Sequence, residues 1–474
     1  MSAPVRAPLD LGRAPVVPLI LRLSGPAILG ISAHSLQMLA NAWFVADLGA
    51  AAIATIGIAY PVTLLVAALG YGGGIGAASI LSRALGRGDR RGVEEAASLG
   101  FWLVLPPGAL LAGLIALDAP FWLRLLGADD SLAAAAAPYT ALATLGTGLM
   151  LVMIVGGFVV RAQGLARFSG AVMVGAFGLN IALDALLIRG LHLGTVGAGW
   201  ATLLAQGAAA LAFVWHFRTA RPPDRIAFRA PWRMGQAGRA HAGELLRIGA
   251  PVTASSLLAA FAMALFVRAG AAYGEAAVAA LGLGLRLVMV AALPLLGVMA
   301  GAQAVLGFAH GAGQGRRRDA ALAFVTGSAL AYGLVVGALM IVFAEPLVGL
   351  VAQDAATIAA GARTLCAFAL AFMPVGLQLS AATLFQAIGA PRRAAAVSLS
   401  AQGLALIPPL LVLPQLYGFD GVLGSRLAAE FLADGLGALL LLGFLRGSRQ
   451  GAAPLQRREA AEMAAPHQAA YEGA

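Results

Sequence analysis

The chain has 474 residues, of which 60 % are hydrophobic and only 11 % charged, with a formal net charge of +10 and a mean hydropathy of +0.87. A soluble domain carries about 25 % charged residues, so this composition excludes a soluble enzyme. The excess of basic residues invites a nucleic-acid partner, but they sit in short loops between long apolar runs, which is the pattern of a membrane protein.

About 20 apolar residues make a helix that crosses the ~30 Å hydrocarbon core. Backbone groups in lipid must bond internally, so such runs mean helices. Twelve are predicted, over roughly 18–43, 52–81, 97–117, 133–160, 169–188, 195–217, 247–269, 277–306, 320–343, 356–386, 394–414 and 421–445. The shortest breaks lie at Arg189–Leu193 and Gln415–Asp420. The first run contains Ala40-Asn41-Ala42, which resembles a signal-peptide cleavage site; the internal repeat described below needs this helix and argues against its removal. The fold class is therefore an all-α membrane protein of twelve transmembrane helices.

Arginine placement sets the expected orientation. With both termini in the cytoplasm, the inner side holds 25 of the 31 basic residues, as the positive-inside rule requires. The opposite loops carry Asp47, Asp118, Asp129, Asp130, Glu275, Glu345 and Asp354. The expected location is the cell (inner) membrane, crossed many times.

The two halves match at an offset of 225 residues: Pro26 with Pro251, Gly86 with Gly311, Gly88 with Gly313, Arg91 with Arg316, Glu94 with Asp319, Gly164 with Gly389 and Arg167 with Arg392. Gly197 meets Gly421 after a one-residue slip. A shift of six helices preserves orientation, so the halves are parallel repeats, as in one class of transporters. The predicted organisation is a first lobe over 1–217 and a cytoplasmic linker over 218–246 that contains Pro222, Pro223 and Pro231. A second lobe follows over 247–445, then a polar, disordered cytoplasmic tail over 446–474. Two such lobes suit rocking access to a site in mid-membrane, in a protein that acts as a monomer.

Several residue types narrow the function. All the basic residues are arginine; without lysine there is no Walker A phosphate contact and no Schiff-base nucleophile, which argues against an ATP-driven pump. One cysteine, Cys366, excludes a disulfide framework or thiolate cluster, and the six histidines show no ligand spacing. The run Gly70-Tyr71-Gly72-Gly73-Gly74-Ile75-Gly76 lies inside helix 2 with no strand before it; it reads as a hinge or a close helix crossing rather than a phosphate cradle. Prolines within spans (Pro61, Pro106, Pro107, Pro294, Pro374, Pro408, Pro409) bend helices.

An ionisable group at membrane depth is a functional candidate. Asp184 and Asn180 are four residues apart on one face of helix 5, and Asn41 of helix 1 and Thr202 of helix 6 are placed to converge on them. Together they offer oxygen ligands for Na⁺ and a carboxylate for a proton. The plainer alternative for Asp184 is a helix-end residue bonding loop amides near Arg189. At the 225 offset Asn180 falls on Ala405 and Asp184 on Pro409, so ion coupling is expected in the first lobe only. Arg286, Glu430 and Asp434 are the other charges expected to be buried. They read as a local ion ladder with Arg426, or as part of second-lobe gating. His34 is either a proton relay or a packed histidine. Tyr139, Gln37, Met153 and Met173 are candidates to line a substrate cleft, or are simply core. No cofactor is expected.

Three patterns resemble the multidrug and toxic compound extrusion (MATE) family, in its DinF-like branch. They are Ala40-Asn41-Ala42-Trp43-Phe44-Val45-Ala46-Asp47-Leu48-Gly49 with Ala59-Tyr60-Pro61-Val62; Leu81-Ser82-Arg83-Ala84-Leu85-Gly86-Arg87-Gly88-Asp89; and Asn180-Ile181-Ala182-Leu183-Asp184 running on to Gly194-Thr195-Val196-Gly197-Ala198-Gly199-Trp200-Ala201-Thr202. The resemblance covers roughly 18–445. It implies export of organic cations or amphipathic compounds in exchange for H⁺ or Na⁺, coupled at positions matching Asn41, Asn180, Asp184 and Thr202. The family usually carries aspartate where this chain has Asn41, so Asp184 is left to act alone. The acids found in helices 7 and 10 of other branches are absent near Ala259 and Val375. A flippase for lipid-linked or polysaccharide precursors is the alternative, for which Arg286 is the one clear cleft cation. A membrane-embedded enzyme is a third reading, and no catalytic His/Asp/Glu cluster is visible for it.

Overall fold

The computed structural model describes residues 10–222, 224–350 and 354–464. The spans are α1 (Val16–Ala46), α2 (Ala50–Gly86), α3 (Arg90–Leu117), α4 (Asp130–Ala162), α5 (Ala166–Asp184, prolonged by a π-helical turn Ala185–Gly190), α6 (Gly194–Thr219), α7 (Gly235–Ala271), α8 (Glu275–Gly311) and α9 (Gly315–Val342). The tenth, α10, is a bent pair, Ala355–Phe372 and Gly376–Ala387. Among the described residues ten helices are long and apolar enough to cross a membrane, or eleven with that pair. The twelfth arises because the last run, Ile407–Ala464, is broken at Gly418, whose φ is +60°. Helix Pro391–Leu399, a π-helical turn Ser400–Leu404 and, after a turn at 405–406, residues 407–417 make up the broken span α11, and 419–447 form α12. Short helices Ala119–Leu125 and Ala344–Gly349 follow α3 and α9.

Local chemistry explains where the elements depart from expectation. Helix α3 starts at Arg90, earlier than the apolar run, because the Asp89 carboxylate accepts the Gly92 N–H at 2.9 Å and caps the first turn. The run 356–386, read as one helix, breaks at 373–375, where Pro374 has no N–H to continue the ladder. Helix α7 already begins at Gly235, inside the stretch read as linker. Past 447 the final helix runs on to Ala464, where a disordered tail was expected from 446.

The outer faces expose large apolar side chains such as Leu117, Leu211, Val342 and Leu439, as expected when the surrounding solvent is lipid. A 37-residue helix such as α2, α7 or α8 is about 55 Å long, so it projects well beyond the ~30 Å hydrocarbon layer.

The lobes meet along a seam of glycines that obeys the internal repeat. Gly72, Gly76 and Gly86 of α2 press on Gly249, Leu245 and Phe308 of the second lobe; Gly297, Gly301 and Gly311 of α8, each 225 residues later, press on Ile28, Ser24 and Arg83 of the first. Most of these approaches are to backbone atoms, so a side chain would force the lobes apart. Polar contacts reinforce the seam: Thr253 Oγ1 donates to Ala68 O at 3.1 Å, Arg83 pairs with Glu244 at 2.6 Å, and Ser79 donates to Gln386 O. All lie between the midpoint of α2 and the arginine-rich ends. Among the described residues no hydrogen bond joins the lobes in the opposite half, and there Gly57 and Gly282, again 225 apart, face open space. The molecule is closed at its arginine-rich end and parted at the other.

The connection between lobes is docked, not free. Ile226 and Met234 are buried in the first lobe's core. Arg229 pairs with Glu94 at 3.0 Å and its backbone N–H donates to Ser98 Oγ at 2.9 Å. Glu95, 1 % exposed, is held by Arg91 at 2.8 Å and by His241 at 3.0 Å.

Candidate functional site

Helices α1, α5 and α6 bring five polar side chains together inside the first lobe. The spacing of four on α1 (Gln37, Asn41) and on α5 (Asn180, Asp184) sets two residues from each helix on facing stripes. Asn41 Nδ2 donates to Asp184 Oδ2 at 3.2 Å, and Gln37 Nε2 donates to Asn180 Oδ1 at 2.8 Å. Asn180 Nδ2 then donates to Thr202 Oγ1 at 3.5 Å, which donates to Ala198 O at 3.0 Å. Asp184 is fully buried and Asn180 nearly so. Asp184 Oδ1 has no partner within the protein.

Asp184 sits at the junction between the α-helical part of α5 and its π-helical turn. Such bulges shift the hydrogen-bond ladder and often mark functional positions. Arg189, at the end of that turn, does not reach Asp184. It pairs with Asp47 and lies over the Trp43 ring at 3.9 Å, clamping α5 to the end of α1.

The sequence-named residues divide clearly. Asn41, Asn180, Asp184 and Thr202 are brought together, and Gln37, named as a cleft residue, belongs to the same cluster. Tyr139 packs with Phe44, Ile188 and Ala198. Met153 is buried with Phe177 and Phe213 in the first lobe's apolar core, and Met173 packs against it, facing Gly30 of α1; these two fill space between helices of one lobe. His34 lies against the Phe177 ring, centroids 4.6 Å apart. Arg286, expected to be buried, is exposed. It lies on the face of α8 that carries Gly297 and, about five turns along, Ala304; both of these meet the first lobe. Its charge is therefore not sealed in the core of the second lobe. Glu430 and Asp434 are buried in the second lobe, joined by Gln378. Gln378 escaped notice in the sequence, although it stands just after the Pro374 break, a signal for exposed helix-end groups.

Two parallel repeats around a seam, with a carboxylate sunk at membrane depth, define a multi-pass membrane transporter and not an enzyme. The sequence pattern of the MatE family matches residues 26–186 and again 251–411, the two matches standing 225 residues apart. The chain belongs to the MatE family. It is 27 % identical over 440 residues to the multidrug export protein MepA of Staphylococcus aureus, covering 92 % of this chain and 95 % of that protein. It is 27 % identical over 423 residues to an FAD transporter of Shewanella oneidensis, covering 86 % of this chain and 91 % of that one. A solved multidrug resistance MATE transporter in an outward-facing conformation superposes with a TM-score of 0.86 at 24 % identity, over 94 % of this chain and 99 % of the other.

Proposed function

We propose that this protein is a secondary multidrug exporter, moving organic cations or amphipathic compounds out of the cell in exchange for H⁺ or Na⁺ by alternating access. The observation that carries the reading is Asp184: a fully buried carboxylate with one oxygen unpartnered, tied to α1 by a single amide. Loading that oxygen with a small cation changes what α1 is bonded to, and α1 also contributes Ser24 and Ile28 to the seam. The coupling step thus acts on the contact that must open.

The hydrogen-bond pattern leaves acceptor capacity for a small cation beside Asp184. Asn180 Oδ1 already accepts from Gln37, and Thr202 Oγ1 both accepts and donates. Asp184 Oδ1 is buried without a partner, the acceptor that an incoming H⁺ or Na⁺ meets first. With both termini in the cytoplasm, as the arginine distribution supports, the seam closes the cytoplasmic side and the cleft opens outward, in a single-chain unit of the cell membrane.

The test is transport in proteoliposomes under separately imposed H⁺ and Na⁺ gradients. Efflux driven by one of the two gradients is the expected result, and which one names the coupling ion; efflux indifferent to both gradients would remove the exchange mechanism. The alternative, a flippase for lipid-linked or polysaccharide precursors, draws support from Arg286, an exposed cation within α8. Arg286→Gln should abolish transport under that reading and leave export of cationic dyes intact under the first.

A further inference from the structure

The exporter reading leaves one cation between the lobes unused. Arg161 stands near the arginine-rich end of α4. It lines a cavity of about 10 Å³ together with Phe158, Ala78 of α2 and Gln303 of α8, so the cavity has walls from both lobes. That is room for one water-sized particle. Gly157, one turn earlier on α4, leaves space for the guanidinium: a Cβ there would lie 3.0 Å from Arg161 Nη1. The guanidinium lies over the Phe158 ring at 4.6 Å, and Nη1 donates to Ser169 Oγ of α5 at 2.8 Å. On the second-lobe wall, Gln303 is 7 % exposed, and its Nε2 is buried without a partner.

The charges here do not balance. A cation drawn out of bulk water needs a counter-charge, yet among the described residues Arg161 makes no ion pair. Helices α1, α2 and α6 carry no acid, and the acids of α4, α5 and α8 are Asp130, Asp184 and Glu275. Each stands at least 15 residues along its helix from Arg161, Ser169 or Gln303, which is about 22 Å or more. Glu94 and Glu95 of α3 and Glu244 of α7 are taken by Arg229, Arg91 and Arg83. Buried donors such as Gln303 Nε2 are rarely left without an acceptor. A positive charge and an unpaired N–H thus line one cavity that no described carboxylate reaches. At the offset of 225, Arg161 falls on Gln386 and Gln303 on Ala78, so the repeat does not duplicate the pair.

We propose that Arg161 and Gln303 bind one small monovalent anion, of chloride size, between the lobes. Guanidinium N–H groups of the first lobe and the amide N–H groups of the second supply the donors, and the anion neutralises the charge. The two residues belong to different lobes and lie beside the seam, next to the point where Ser79 donates to Gln386 O. Parting the lobes at this end separates them. The anion therefore binds the seam-closed form more tightly and shifts the population toward it. The site shares no residue with the Asp184 cluster, and its occupancy does not depend on transport.

The test uses the full-length transporter in lipid nanodiscs at fixed pH, with sodium chloride exchanged for sodium gluconate at constant ionic strength. Thermal unfolding of wild type, Arg161→Gln, Gln303→Leu and Gln303→Glu is followed against chloride concentration. The wild-type unfolding temperature should rise with chloride and saturate, as binding to the folded form alone requires. Arg161→Gln should lose that response. Gln303→Leu should raise its midpoint roughly tenfold, the worth of one hydrogen bond to a charged group. Gln303→Glu sets a carboxylate beside the guanidinium. It should keep the chloride-saturated stability even in gluconate and stop responding to chloride, which separates a filled anion site from a damaged fold. A wild-type unfolding temperature indifferent to the exchange, or a response in Arg161→Gln or Gln303→Glu equal to that of wild type, overturns the proposal. These measurements need no transport, so the site stands or falls apart from the exporter reading.

Discussion

Apart from the ion-paired Glu94 and Glu95 at the arginine-rich end of α3, the first lobe puts its buried acid on α5, and the second puts its acids on α12. At the offset of 225, the position of Asp184 is Pro409 and that of Asn180 is Ala405; at the offset of 224 that pairs Gly197 with Gly421, Glu430 corresponds to Gln206 and Asp434 to Ala210. Gln378 corresponds to Met153, which is plain core. The glycines of the seam show the opposite behaviour: Gly72 and Gly297, Gly76 and Gly301, Gly86 and Gly311 do the same job in both halves. Close backbone approach leaves only one residue type admissible, so packing holds the repeat together. Polar chemistry has no such geometric lock. It has moved to a different helix in each lobe, beside a π-helical turn in one and a proline break in the other.

This contrast can be broken at several points. The largest effect is expected at Asp184→Asn, which keeps the shape but cannot be charged. It should reduce gradient-driven efflux to background while the protein still folds, measured by dye uptake into vesicles and thermal unfolding. Unchanged coupled efflux would move the coupling site elsewhere.

Next comes the seam. Gly86→Val and Gly311→Val should each destabilise the closed end by about 1–3 kcal/mol, the usual cost of overpacking. Gly57→Ala and Gly282→Ala, which face open space, should change stability far less. Thermal unfolding and cross-linking of cysteine pairs across the seam measure both. Equal effects in the two sets would show that the seam is not where the lobes bear on each other.

The connection between lobes gives a smaller effect. Arg229→Ala should cost about 1–3 kcal/mol by leaving Glu94 with fewer partners and should raise proteolysis within 220–234. Protection unchanged from wild type would show that the apolar anchors Ile226 and Met234 hold the connection alone.

The smallest effect concerns α4. The Asp129 carboxyl is held below its ordinary value of 3.8 by the Leu132 N–H and then by the Ser131 hydroxyl. Its stabilisation is therefore present above pH 3.8 and lost as pH falls through the lower folded-state value. Asp129→Asn should leave neutral-pH stability nearly unchanged and flatten only the acid limb of an unfolding profile. A change at neutral pH would mean that the charge, and not the cap, stabilises the helix.

Sequence alone determined the helices, their approximate edges, the repeat and the first-lobe cluster. Apolar length is a direct consequence of bilayer thickness, and the four-residue spacing of Asn180 and Asp184 follows from helix geometry. Tertiary structure alone decided where side chains from distant segments point. Gln37 joins Asn180 instead of a cleft, Arg286 is exposed instead of buried, Met153 is sealed inside one lobe, and Gln378 reaches the acids of α12. Those outcomes depend on which faces of two helices meet and on how a chain bends at Pro374 or turns at Gly418. In a chain where nearly every face of every helix is apolar, hydrophobic patterning cannot tell the face turned to lipid from the face turned to protein.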